Sequence, residues 1–72
     1  MAEINIMELF GRNVQKHRKQ HNFSQEKLAE LAGVHRTYIG MIERAEKNIT
    51  ICNMKKIADA LQIKISDLLE GE

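Results

Sequence analysis

The residues best able to do chemistry cluster between positions 36 and 48. Arg36, Thr37, Gly40, Met41 and Arg44 are spaced so that they fall off the apolar seam of Ile39 and Ile42. No acid stands among those five. Arginine can bond bidentately to a guanine edge, and threonine can meet a thymine methyl or a polar base edge. A glycine on such a surface allows a base or a backbone to come close. A helix that enters the major groove of duplex DNA needs such a surface. Other chemistries have less support. His17 and His21 stand at i, i+4 and could hold a metal with Cys52 or His35 as third ligand, but no adjacent carboxylate completes a set. Cys52 near a helix start reads more simply as a buried or inert thiol than as an acidified one. No Ser/His/Asp spacing or glycine-rich phosphate loop is present. No catalytic residue, metal or cofactor is therefore expected, and no enzyme.

A recognition surface needs a scaffold, and the residues around Gly33 describe one. Counting from Gln25, Leu28 is fourth, Ala29 fifth, Ala32 eighth, Gly33 ninth, Val34 tenth, Ile39 fifteenth and Ile42 eighteenth. Two short helices meeting at a sharp angle require a small residue at their closest approach, glycine at the turn and apolar residues on the inner seam. The alternative is a generic α-hairpin in a small bundle, which leaves the cationic outer face unexplained.

The remaining elements follow from period and punctuation. Residues 1–7 read as a short arm, with Ile4 and Ile6 alternating with polar residues. From Glu8 to about His21, Phe10, Val14 and His17 recur at helical spacing, with His17 as a partly buried imidazole. Ser24 can cap the next helix, with Phe23 and Leu28 as a hydrophobic staple. Gly33 ends it in a left-handed conformation. After a polar loop at 45–49, Thr50 caps a fourth helix, stapled by Ile49 and Met54 and buried through Ile57, Ala58 and Leu61. Ser66 to Leu69 reads as one or two helical turns, with Ile63, Ile65, Leu68 and Leu69 as its apolar group.

Composition bounds the rest. The chain has 72 residues, 43% hydrophobic and 29% charged, which predicts one small domain over 1–72. No stretch approaches the roughly 18 apolar residues of a membrane span. Three aromatic residues and no tryptophan make an aliphatic core. One cysteine cannot form an internal disulfide, and with no signal segment at the start this points to the cytoplasm. The formal net charge is only +1, yet residues 11–20 carry Arg12, Lys16, Arg18 and Lys19 with no acid. That run reads either as a solvated face or as an edge toward phosphates.

Gln25-Glu26-Lys27-Leu28-Ala29, Gly33-Val34, Tyr38-Ile39 and Ile42-Glu43-Arg44 resemble the phage-repressor-like (XRE-type) helix-turn-helix family. Arg36-Thr37-Tyr38-Ile39-Gly40 with Asn48-Ile49-Thr50 is most similar to its restriction–modification controller proteins. The resemblance covers about residues 8–70. It implies an all-α fold of five helices, with the helix-turn-helix at about 25–44, and a homodimer that binds palindromic operators. It implies that Gln25 bonds a phosphate, Arg36 reads a guanine, and Thr37 meets an adjacent base or phosphate. Tyr38, Lys47 and Asn48 would grip the backbone. His35, Gly40 and Arg44 complete the expected DNA-binding set. Glu43 would pair with Arg18 and tie the third helix to the first. The sequence departs from the family pattern at His35, where Ser or Asp usually caps the helix. It departs also at Gly40, near a common Ser, and at Lys47, where Arg is frequent. These differences bear on the operator sequence rather than on the binding mode.

One domain with two or three base contacts discriminates too weakly against a genome, so a dimer is expected. Its surface is placed in the segment at about 62–70, on Ile63, Ile65, Leu68 and Leu69, with Leu68 also serving the monomer core. The acidic edge of the second helix, Glu26 and Glu30, could touch RNA polymerase beside a promoter. The reading is a transcriptional regulator, a restriction–modification controller. The alternatives are a phage-type repressor or antitoxin of the same fold, or a protein-interaction module that does not read DNA.

Overall fold

The first helix, α1 (Ile6–Gln20), starts two residues before the apolar period does. The cause is Asn5, whose side-chain oxygen accepts from the Met7 and Glu8 amides at 3.0 and 3.3 Å. Ile6 and Met7 therefore belong to a helix, not to an extended arm, although Ile6 remains 56% exposed. The computed structural model describes residues 5–71, so the rest of the expected arm, Ile4 included, lies outside it.

Among the described residues four further helices follow: α2 (Gln25–Ala32), α3 (Arg36–Glu43), α4 (Ile51–Leu61) and α5 (Ile65–Leu68). No strand occurs among the described residues. Side-chain caps set the starts. Ser24 Oγ accepts from the Lys27 amide at 2.9 Å, and Thr50 Oγ1 accepts from the Asn53 amide at 3.1 Å. Gly33 ends α2 at φ 74°, and the Val34 amide donates back to the Ala29 carbonyl at 3.0 Å. Helix α4 ends the same way at Gln62, φ 60°, without a glycine.

One largely aliphatic core, with Phe10 as its aromatic member, holds the described helices together. Phe10 and Val14 of α1 meet Leu28 and Ala32 of α2, Ile39 and Ile42 of α3, Ile57 and Leu61 of α4, and Leu68 of α5. Helix α1 crosses α3 at Gly11, where an added Cβ would overlap the Ile42 carbonyl oxygen. The α5 turn is too short to hold itself. Asn13 of α1 clamps it by donating to the Leu68 and Glu70 carbonyls at 2.9 and 2.7 Å.

Two expectations change here. Leu68 is fully buried, which bears out its expected core role and removes it from the exposed apolar group. Ile63 and Ile65 are half-buried against the core, and Leu69 is 36% exposed. The basic run at 11–20 is not one edge. A helix turns about 100° per residue, so consecutive side chains point to different sides. Arg18 turns inward, while Arg12, Lys16 and His17 line a groove opposite Asp67 and Glu70.

Candidate nucleic-acid interface

The site is built on the exposed start of α3. The bend at Gly33 leaves only Val34 and His35 before α3 begins. His35, Arg36 and Thr37 are all exposed there. His35 itself caps the helix: its Nδ1 accepts from the Thr37 amide at 3.1 Å. Imidazole thus replaces the usual hydroxyl or carboxylate, which explains how the chain departs from the family pattern without losing the cap.

At the other end of α3 lies a buried polar lock. The Glu43 side chain is 3% exposed and that of Arg18 is 11% exposed. Arg18 donates to Glu43 through Nε at 2.7 Å and Nη2 at 3.1 Å. Its Nη1 donates to the Phe23 carbonyl at 2.9 Å. Gln25 Nε2 donates to the same carboxylate at 3.0 Å. One carboxylate thereby binds the end of α3 to α1 and to the first residue of α2. A buried charge satisfied on every side holds geometry, because any other arrangement leaves it unpaired. Gln25 is thus engaged inside the protein by one amide hydrogen.

The far end of α3 differs from the expected surface. Gly40 is buried, not open to an approaching base. A Cβ there would sit 3.1 Å from Arg44 Nη1 and 3.5 Å from Gln25 Oε1. The glycine accommodates the side chains of its own subunit. Arg44 caps the C-terminus of α3 and is exposed, but its Nε donates to Glu46 Oε2 at 3.0 Å. The hydrogen bond to Glu46, and then its charge, hold the Arg44 pKa above the ordinary value. Lys47 and Asn48 stand exposed on the loop that follows. Tyr38 is half-buried, and its hydroxyl accepts from Asn53 Nδ2 of α4 at 2.9 Å.

The described surface thus brings Arg36, Thr37, His35, Arg44, Lys47 and Asn48 onto the exposed rim of α3 and its loop. Gly40 lies beneath that rim. Sequence reasoning missed Glu46 and Asn53. Glu46 stood in a polar loop with nothing to mark it, and Asn53 resembles any polar residue in a first helical turn. Elsewhere, His21 meets the Leu61 carbonyl at 2.9 Å and stacks on Phe23 at 5.0 Å, a structural role that links α1 to α4. Cys52 is exposed on the first turn of α4, not buried. No cluster of three metal-ligating side chains occurs among the described residues. No described helix is long and apolar enough to cross a membrane.

Comparison with known proteins places this geometry. A family model described as helix-turn-helix matches residues 14–68. The control protein C.SmaI of Serratia marcescens is 44% identical over 66 residues, covering 92% of this chain and 79% of the relative. The crystal structure of the restriction–modification controller protein C.AhdI from Aeromonas hydrophila superposes with a TM-score of 0.84 at 37% identity, covering 86% of this chain and 94% of that one. The structure of the biofilm regulator SinR in complex with DNA superposes with a TM-score of 0.81 at 32% identity, covering 85% and 98%. The five helices, the bend at Gly33 and these likenesses agree: the protein belongs to the helix-turn-helix family and is similar to restriction–modification control proteins.

Proposed function

We propose that this protein is a sequence-specific DNA-binding transcriptional regulator and controls a restriction–modification system. The observation that carries the reading is the start of α3. Arg36 and Thr37 stand exposed on a capped turn whose other end is locked by Glu43, Arg18 and Gln25. A rigid, acid-free first turn is what direct readout in a major groove requires. Arg36 reads a guanine and Thr37 an adjacent base or phosphate. His35, Tyr38, Arg44, Lys47 and Asn48 follow the backbone, and Gln25 uses its remaining amide hydrogen on a phosphate. The protein works by binding, in the cytoplasm, without catalysis.

The test is selection of preferred duplexes from a random pool, followed by Arg36→Ala. Arg36 is exposed, so the variant keeps its fold. Discrimination between the selected and a scrambled duplex should fall by about 1–3 kcal/mol per half-site. Undiminished discrimination refutes the assignment of Arg36.

The operator-bound form is a homodimer through Ile63, Ile65 and Leu69, the apolar side chains that remain once Leu68 is assigned to the core. Sedimentation of Leu69→Asp should report a monomer; an unchanged dimer places the interface elsewhere. Glu26 and Glu30 are exposed on α2 and suit a contact with RNA polymerase. Transcription in vitro with Glu26→Lys, Glu30→Lys checks this; a variant that binds DNA and still activates rejects it.

A further inference from the structure

We propose that Asn53, on α4 and outside the recognition helix, is a positioning residue that aims the Tyr38 hydroxyl at a DNA phosphate. The inference rests on the DNA-binding reading above. Its basis is the direction of one hydrogen bond. Asn53 Nδ2 donates and the Tyr38 oxygen accepts, at 2.9 Å. A phenol has one proton to give and lone pairs that accept. This bond occupies a lone pair and leaves the proton free. No side-chain or backbone acceptor among the described residues takes that proton. A phosphate oxygen only accepts, so it is the complementary ligand. Accepting one bond also polarises the phenol and strengthens the bond that it gives.

The placement of Asn53 fits this role. It is the third residue of α4, and its amide is held by Thr50 Oγ1 at 3.1 Å, so its own backbone is fixed. It lies in the first turn of α4, on the helix that directly follows the loop carrying Lys47 and Asn48. Its bond to Tyr38 is the one side-chain hydrogen bond between α3 and α4 among the described residues. Tyr38 packs its ring against the core, and Asn53 fixes where its tip points.

The experiment is a double-mutant cycle on the full chain with a mixed-sequence duplex at low salt. A phosphate contact carries no sequence information, so such a probe reads it. Tyr38→Phe and Asn53→Ala should each weaken binding roughly three- to tenfold, as the loss of one hydrogen bond does. The double variant should bind no more weakly than Tyr38→Phe alone. The chain has one tyrosine and no tryptophan, so its near-ultraviolet tyrosine spectrum belongs to Tyr38. That spectrum should shift in free Asn53→Ala, which a role confined to capping α4 would not produce. Additive losses, or full affinity in Asn53→Ala, overturn the proposal. Absence of duplex binding by the unmodified protein overturns the DNA-binding reading itself. Should Asn53→Ala lose its helical signal, Asn53→Asp is compared in the native and Tyr38→Phe backgrounds. Its carboxylate accepts the phenolic proton, while its repulsion of DNA is common to both. A loss larger in the native background supports the proposal, and equal losses refute it.

Discussion

Gly11→Ala should destabilise the protein, and the reason is a backbone crossing rather than helix propensity. An added Cβ would overlap the Ile42 carbonyl oxygen and lie 3.3 Å from both Glu43 Cα and the Glu43 carbonyl oxygen. All three atoms belong to the backbone of α3, which cannot swing aside as a side-chain tip can. Restoring ordinary contact, about 3.5 Å or more, means moving α3 off α1. That motion also strains the Arg18–Glu43 pair, whose closest atoms are 2.7 Å apart. Overpacking of this kind costs about 1–3 kcal/mol. Alanine in a helix returns up to about 1 kcal/mol over glycine. The net loss is then up to about 2 kcal/mol, or up to roughly 15 °C in Tm for a domain of this size. Gly40→Ala supplies the control. It gains the same propensity, but its Cβ would meet the exposed tip of Arg44 at 3.1 Å, which can shift at little cost. Its Tm should hold or rise by a few degrees. Thermal unfolding by circular dichroism, at one protein concentration for all variants, makes the comparison. If both alanines raise Tm alike, propensity alone governs and the close approach at Gly11 is not the constraint argued here.

Two further outcomes are expected. His35→Ala removes the acceptor that caps α3 and should cost about 1 kcal/mol, whereas His35→Ser should match or exceed the native stability. Equal unfolding midpoints for all three would show that the imidazole does not act as a cap. Glu46→Gln frees Arg44 from the carboxylate 3.0 Å away. The log–log slope of DNA affinity against salt should then steepen by up to about 0.9, as Arg44 gives its whole charge to the phosphate it follows instead of sharing it with Glu46. An unchanged slope means that Arg44 does not reach the backbone.

The elements of this fold are written in local chemistry, and that part was legible. Ser24 and Thr50 mark helix starts because a side-chain oxygen can satisfy an orphan amide three residues on. Gly33 marks a helix end because it adopts a positive φ freely. Leu28, Ile39, Ile42, Ile57 and Leu61 recur at spacings that place them on inner faces, and all are buried. The start of α1 escaped because Ile6 is both helical and exposed, so it breaks the apolar period. The left-handed Gln62 escaped because nothing in its type announces that conformation.

What a residue contributes to a surface depends on neighbours far along the chain, and one-dimensional spacing does not contain them. Leu68 and Leu69 are adjacent and chemically identical, yet one fills the core and the other reaches solvent, because Asn13 on α1 fixes how the last turn lies. Arg18 and Arg12 belong to one basic run, yet only Arg18 meets Glu43 across 25 positions. Gly40 looked open on the helix it occupies, and the side chains of Gln25 and Arg44 cover it. Local order along the chain thus determined the helices, most of their ends, the bend and the family. Packing between helices decided which side chains face outward and which hydrogen-bonding groups stay free, because both depend on distances between residues that only the folded chain brings together.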